Sequence, residues 1–85
     1  NNMTKKELIK KLKKDLGVDI EFSTLTYWER LGYAKPDSFK IWLNRKVREY
    51  TEEGYQKTKE NIIKLIKERK IHPKGWKKVI KKYDK

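Results

Sequence analysis

The chain opens with a regular pattern of apolar positions among lysines. Four apolar residues recur at helical spacing and predict one buried stripe: Leu8, Ile9, Leu12 and Leu16. Thr4 stands where it can cap this helix, and Gly17 stands where it can end it. We therefore predict a first amphipathic helix between these two residues.

A second, shorter helix is predicted over residues 23–31. Its inner face is expected to consist of three apolar residues spaced three apart: Leu25, Trp28 and Leu31. Ser23 or Thr24 would supply the N-terminal cap, and Gly32 would stop the helix. Two short helices around a tight connection predict a helix-turn-helix.

After Lys35-Pro36 the period of the pattern changes from helical to alternating. Phe39, Ile41 and Leu43 alternate with Lys40 and Trp42, and this two-residue period is typical of a strand. The segment 44–46 is expected to turn and the segment 47–50 to return as a second strand, giving a β-hairpin with a basic tip. Trp42 falls out of phase, so two alternatives stay open: exposure, or packing against the first helix.

The last part of the chain predicts two more helices. Thr51 would cap the third, and Glu52 and Glu53 would favour its N-terminus through the helix dipole. The third helix is expected to bury Tyr55, Ile62, Ile63 and Ile66. His72-Pro73 interrupts the helical pattern, and the fourth helix would then bury Trp76, Val79, Ile80 and Tyr83.

These elements predict a mainly α fold with a small β-hairpin wing, a winged helix-turn-helix in the order helix-helix-hairpin-helix-helix. With 85 residues we expect one domain over residues 1–85 with a small, aromatic-rich core. Trp28, Tyr50 and Trp76 are the aromatic residues that we expect in that core.

Charge narrows the choice of partner. The chain has 24 Lys and Arg against 12 Asp and Glu, a formal net charge of +12. A compact domain tolerates such an excess best beside a polyanion, which favours nucleic acid or an anionic membrane surface. No apolar run approaches the length of a membrane span, so we expect a cytoplasmic, nucleoid-associated protein.

The composition offers little to catalysis. The chain has no cysteine and one histidine, and it shows neither a glycine-rich phosphate loop nor paired carboxylates on opposing elements. We therefore expect no catalytic residue, no metal ligand and no cofactor, and we predict that the protein is not an enzyme.

Two motifs carry a resemblance to a known family. Residues 24–32 read TLTYWERLG and are followed by Lys35-Pro36, and residues 48–53 read REYTEE. In this order, over about residues 17–66, they resemble the DNA-binding domain of MerR-type regulators. Thr26 stands where the family usually has arginine, and the turn before the second helix is longer by about two residues.

The resemblance implies that the second helix enters the major groove of DNA and that the hairpin acts as the wing. It points to a small single-domain or excisionase-like relative without an effector domain, so we expect no small-molecule inducer in this chain. The family pattern also implies a phosphate contact for Tyr27.

Spacing and charge define the candidate DNA-binding residues. On the second helix, base edges would be within reach of Ser23, Thr24, Thr26 and Tyr27, and Arg30 would grip a phosphate or a guanine edge. On the hairpin, the backbone or the minor groove would be contacted by Lys40, Trp42, Arg45, Lys46 and Arg48. Lys35 would contact phosphate between the two elements.

Three functions compete. The first is sequence-specific binding of double-stranded DNA in transcriptional control, with further copies of the chain on DNA and RNA polymerase as candidate partners. The second keeps the fold but serves site-specific recombination, as an architectural or accessory factor of the excisionase type or as the DNA-binding domain of a recombinase. The third is binding to an anionic membrane surface through basic amphipathic helices, which we rank last because folding would bury their apolar faces.

Overall fold

The computed structural model describes residues 2–83. This range contains four helices and one two-stranded antiparallel sheet. The elements are α1 (Lys5–Leu16), α2 (Phe22–Leu31), β1 (Ser38–Trp42), β2 (Arg45–Glu49), α3 (Glu52–Lys67) and α4 (Trp76–Tyr83). The predicted class, mainly helical with a small hairpin, and the predicted order of elements are confirmed.

The ends of α1 and α3 follow from local side-chain chemistry. The Thr4 side chain accepts a hydrogen bond from the Glu7 backbone N–H, and the Glu7 carboxylate accepts one from the Thr4 N–H. Gly17 ends α1 in the left-handed conformation that glycine adopts without strain. Thr51 caps α3 by accepting from the Gly54 N–H. The predicted caps of both helices are confirmed.

The start of α2 differs from the prediction. Its N-cap is Glu21, which makes no side-chain capping bond, so the expectation that Ser23 or Thr24 caps the helix was wrong. The chain before it is fixed by other contacts, because the Asp19 backbone bridges to Lys74 and Ile20 is buried. The helix therefore begins directly after this anchored segment, one residue earlier than the pattern predicted.

The inner face of α2 is narrower than predicted. Leu25 and Trp28 are buried as expected, whereas Leu31 is 44% exposed, so its assignment to the inner face was wrong. Gly32 ends the helix as predicted. The side of α2 that does not pack on the core is therefore wide.

A single hydrophobic cluster joins the helices. It includes residues from every helix together with the end of the hairpin: Leu8, Leu12, Leu16, Leu25, Trp28, Tyr50, Tyr55, Ile62, Ile66 and Val79. Trp28 and Tyr50 are buried as predicted, and Trp76 packs at the edge of the cluster. Among residues 2–83, no helix combines the length and apolarity needed to cross a membrane.

The hairpin turn begins one residue earlier than predicted and ends two residues earlier. Leu43 and Asn44 form the turn, both with positive φ (49° and 62°), and Arg45 and Lys46 belong to β2. Two consecutive residues with positive φ are typical of the tightest hairpin connections, whose twist matches that of the strands. The predicted turn at residues 44–46 was therefore wrong in position.

The alternating apolar residues of β1 do not form a buried face. Phe39, Ile41 and Leu43 are each more than half exposed, because neither face of β1 is covered by a helix. Trp42 is exposed as well, so of its two alternatives exposure is confirmed and packing against the first helix was wrong. The free end of the hairpin thus projects from the helical body.

Contacts at its base hold the hairpin in place. The backbones of Met3 and Tyr50 form an antiparallel bridge, with Met3 N–H donating to Tyr50 O and Tyr50 N–H donating to Met3 O. On the other strand, the Asp37 carboxylate accepts from both the backbone N–H and the hydroxyl of Thr51. The hairpin is therefore fixed at one end and free at the other.

Candidate nucleic-acid interface

An open groove runs between α2, the start of α1 and the outer edge of β2. Its volume is about 980 Å³, and its lining residues are Thr4, Lys5, Lys6, Phe22, Thr26, Glu29, Arg30, Arg45, Lys46, Val47 and Arg48. Five of these were predicted from the sequence as DNA-binding residues: Thr26, Arg30, Arg45, Lys46 and Arg48. The structure therefore brings the predicted recognition helix and the predicted wing to one concave surface.

A carboxylate at the floor of the groove ties the elements together. Glu29 has a side chain that is 3% exposed, and it lies 2.8 Å from the Lys5 ammonium of α1. Its other oxygen accepts a hydrogen bond of 2.7 Å from the Tyr50 hydroxyl at the end of the hairpin. Burial, followed by this contact with Glu29, raises the pKa of the Tyr50 phenol above its ordinary value. The hydroxyl accordingly stays protonated and can donate.

Sequence reasoning did not single out Glu29, Tyr50 and Lys5 as a unit. Glu29 and Tyr50 each stand in one of the two motifs that carry the family resemblance, which is the signal that could have pointed to them. Lys5 carried no such signal, because it is one of many lysines on α1.

The groove carries a large excess of positive charge. Lys5 balances the charge of Glu29, and the other cations of the lining make no ion pair within residues 2–83: Lys6, Arg30, Arg45, Lys46 and Arg48. The Lys46 ammonium instead lies 4.3 Å from the centroid of the Phe39 ring, which orients it without neutralising it. These charges are held close together on an exposed surface, where a polyanion would relieve their mutual repulsion.

The helical period decides which side chains of α2 share the groove. Successive residues are rotated by about 100°, so Arg30 and Thr26 lie on the same side as Phe22. Ser23 and Tyr27 are exposed and follow next around the helix, beside Arg30. Thr24 is half-buried and lies further round, towards the buried side of α2. Ser23 and Tyr27 therefore extend the groove surface, and Thr24 does not.

The hydroxyl of the exposed Thr26 makes two hydrogen bonds to other groups of the protein. The hydroxyl donates to the Phe22 carbonyl oxygen at 3.1 Å and lies 3.2 Å from the Lys5 ammonium, from which it accepts. The Thr26 hydroxyl proton is therefore already donated within the protein, and the expected contact between Thr26 and a base edge stays a prediction.

The remaining candidates lie beside the groove. Lys35 borders a smaller depression of about 450 Å³ that also includes Lys46 and Arg48, so it extends the cationic surface. Lys40 lies 3.5 Å from the Glu49 carboxylate and is therefore partly neutralised. Trp42 is paired with Arg45 in the hairpin register, next to the turn.

Within the described part of the chain, no group of three or more His, Cys, Asp or Glu residues is placed to bind an ion.

Comparisons with protein families, curated proteins and solved structures found no match to this chain. The interpretation of the groove therefore depends on its geometry and charge.

Proposed function

We propose that this chain binds double-stranded DNA with sequence preference, as a small winged helix-turn-helix protein of the MerR type. In this proposal α2 lies in the major groove and the hairpin contacts the adjacent backbone or minor groove as a wing. One observation carries the proposal: the exposed side of α2 and the cationic edge of β2 face one groove, with Arg30 on one wall and Arg45, Lys46 and Arg48 on the other.

The chemistry of the groove favours a polymeric anion over a small molecule. Its volume is at the upper end of the range of small-molecule pockets, but such pockets enclose most of the surface of their ligand. This groove is open, and five of its lining cations make no ion pair within residues 2–83. A phosphodiester backbone supplies a row of negative charges to such a surface, and an α-helix has the width that the major groove admits.

The contacts divide into two kinds. Lys35, Arg45, Lys46 and Arg48 would bind phosphates and set the position of the protein on the duplex, as would the uncapped backbone amides in the first turn of α2. Sequence would be read by the exposed arc of α2: Ser23, Thr26, Tyr27 and Arg30. We assign Thr24 no base contact, because it turns away from the groove.

Two uses of DNA binding fit this surface. In transcriptional control, copies of the chain would lie side by side on DNA and RNA polymerase would be the partner. In site-specific recombination, the chain would act as an excisionase-like architectural factor or as part of a recombinase. Membrane-surface binding loses its main support, because the apolar stripe of α1 is consumed by the core, where Leu8 and Leu12 are fully buried.

Selection of bound duplexes from a random pool, followed by anisotropy titrations at several salt concentrations, tests the proposal. We expect an enriched motif, and between about 50 and 200 mM salt we expect the logarithm of the affinity to fall with a slope of about −4, since each neutralised phosphate contributes about −0.9. A scrambled duplex should bind about 10³-fold more weakly than the enriched one. Affinity that is independent of salt, with no enriched motif, would contradict the proposal.

A further inference from the structure

The free end of the hairpin carries consecutive apolar side chains in solvent. Ile41, Trp42 and Leu43 are 65%, 61% and 76% exposed. Single exposed apolar residues are ordinary on protein surfaces, whereas a run of exposed apolar residues indicates a binding site. Cations flank this run, because Lys46 pairs with Ile41 and Arg45 pairs with Trp42 across the hairpin.

The backbone conformation of Leu43 is unfavourable, in addition to the exposure of its side chain. Its φ is 49°, in the left-handed region that bulky side chains rarely adopt, whereas Asn44 beside it belongs to a residue type that tolerates that region. Turns of this kind favour asparagine, aspartate or glycine at both positions. The chain therefore places a large apolar side chain where both the backbone and the solvent disfavour it. Strain of this kind is concentrated at functional positions.

Resting on the proposed DNA binding, we propose that the hairpin tip is a wedge that bends the duplex. Leu43 and Trp42 enter the minor groove and insert between neighbouring base pairs, while Arg45 and Lys46 hold the phosphates on either side. Apolar side chains inserted in this way unstack a base step and kink DNA by about 20–90°. DNA distortion is thus a further activity of the protein, beyond recognition by α2.

The dimensions of the hairpin suit this role. Strands of five residues extend about 17 Å from the anchored base, at about 3.4 Å per residue. The backbones of the two strands lie about 4.8 Å apart, so the side chains of the two-residue turn, and not the whole hairpin, would enter a minor groove about 6 Å wide. Because β2 also lines the groove, a duplex bound there would pass beside the tip.

Charge complementarity favours DNA over other apolar partners. The tip residues alternate with or adjoin cations that line the groove, so a neutral protein surface would leave those charges without counterions. A lipid surface would satisfy the tip but would leave the concave surface of α2 unused. A duplex satisfies both at once.

Bending and binding can be measured separately on one mixed-sequence duplex of about 100 base pairs, which is shorter than the DNA persistence length of about 150 base pairs and therefore seldom forms circles unaided. Ligation into circles reports bending, and anisotropy at low salt reports binding. We expect the wild-type protein to raise the yield of circles about tenfold over free DNA. A sharp kink should have this effect because it lowers the elastic energy that is needed to close a short duplex.

Two tip variants and a control isolate the wedge. Leu43→Asn suits the left-handed turn, so it should melt at or above the wild-type temperature while it removes the wedge. Trp42→Thr keeps a strand-favouring residue. At a protein concentration that saturates the linear duplex, the double variant should return circle formation to the level of free DNA; it should still bind that duplex, because the phosphate contacts remain. Leu31→Gln removes an exposed apolar side chain from α2 and should bend DNA like the wild type.

Four outcomes would overturn the wedge. Binding without any rise in circle formation, or undiminished bending by the folded double variant, would reject it and leave DNA binding intact. Failure of the wild type to bind any duplex would reject the proposed function together with the wedge. Loss of binding to phosphatidylserine vesicles in the double variant, with both DNA measurements unchanged, would identify the tip as a membrane contact.

Discussion

The Tyr50 hydroxyl donates a 2.7 Å hydrogen bond to Oε2 of Glu29, and this bond joins the end of the hairpin to the last turn of α2. The Lys5 ammonium lies 2.8 Å from the other oxygen of the same carboxylate. Three elements therefore meet at one buried group. The angle between the hairpin and α2, on which a shared DNA surface depends, is set by this cluster.

Removing the Tyr50 hydroxyl should weaken the cluster. In Tyr50→Phe, the Glu29 carboxylate keeps Lys5 but loses its second partner while still buried, so we expect a loss of about 1–3 kcal/mol in the free energy of unfolding. Urea unfolding followed by circular dichroism measures it. Tyr27→Phe removes an exposed hydroxyl and should change stability by less than about 0.5 kcal/mol. Equal stability of the two variants would show that the Tyr50 contact contributes nothing.

Alkaline pH should destabilise the fold through two tyrosines. Burial, and then the contacts with Glu29 and Asp15, raise the pKa of Tyr50 and of Tyr55 above the ordinary value near 10. The unfolded chain therefore binds fewer protons than the folded one above pH 10, and the free energy of unfolding falls as pH rises, by up to about 1.4 kcal/mol per pH unit for each tyrosine. Below pH 10 this contribution is fully present.

Urea titrations between about pH 9 and pH 11.5 measure this dependence, because that window brackets the ordinary tyrosine pKa. The decline should be shallower in Tyr50→Phe than in the wild type. Parallel curves for the two proteins would assign the alkaline loss to other groups.

The wing is expected to bind phosphate without reading sequence. Arg45→Ala should weaken binding to enriched and scrambled duplexes alike and lower the salt slope by about 0.9. Lys64→Ala removes the same charge from the exposed side of α3 and serves as the control. A similar change of slope in both variants would show that net charge, and not the groove, governs the affinity.

Arg30 and Thr24 should differ in their effect on sequence preference. Arg30 faces the groove, and we expect Arg30→Ala to reduce discrimination between enriched and scrambled duplexes by about 1–3 kcal/mol. Thr24 turns away from it, so Thr24→Ala should alter discrimination by less than about 0.5 kcal/mol. Anisotropy titrations on both duplexes measure the difference. If Arg30→Ala weakened both duplexes equally, Arg30 would be a phosphate contact.

Gly75 should be less replaceable than Gly32, although both have a positive φ (94° and 81°). A methyl group on Gly75 would overlap the carbonyl oxygen of Gly17, whereas on Gly32 the nearest atom is a flexible lysine carbon at 4.0 Å. We expect Gly32→Ala to cost about 1 kcal/mol and Gly75→Ala clearly more, about 2–4 kcal/mol. Urea unfolding compares them, and equal losses would place the strain in φ alone.

Local chemistry explains what the sequence could predict. The caps at Thr4 and Thr51 and the stops at Gly17 and Gly32 act within a few residues, so their positions could be read directly. The start of α2 could not, because it depends on a backbone bridge between Asp19 and Lys74, which are far apart along the chain.

In the hairpin and in the candidate nucleic-acid interface, too, local signals could be predicted and contacts between distant residues could not. Alternating apolar residues from Phe39 predicted the strand, but only the tertiary arrangement shows that no helix covers it, and the turn at Leu43 contradicts local propensity. Charge patterning correctly brought Arg30, Arg45 and Arg48 to one surface. The cluster at Glu29 was missed, because Tyr50 and Lys5 are each more than 20 residues away from it along the chain.

The bridge between Met3 and Tyr50 has a practical consequence for handling the protein. The segment that precedes α1 pairs with the base of the hairpin. A polypeptide fused to that segment would therefore disturb the hairpin, which is proposed to contact nucleic acid. Affinity handles and fluorophores for quantitative work therefore belong at the opposite terminus, away from the bridge between Met3 and Tyr50.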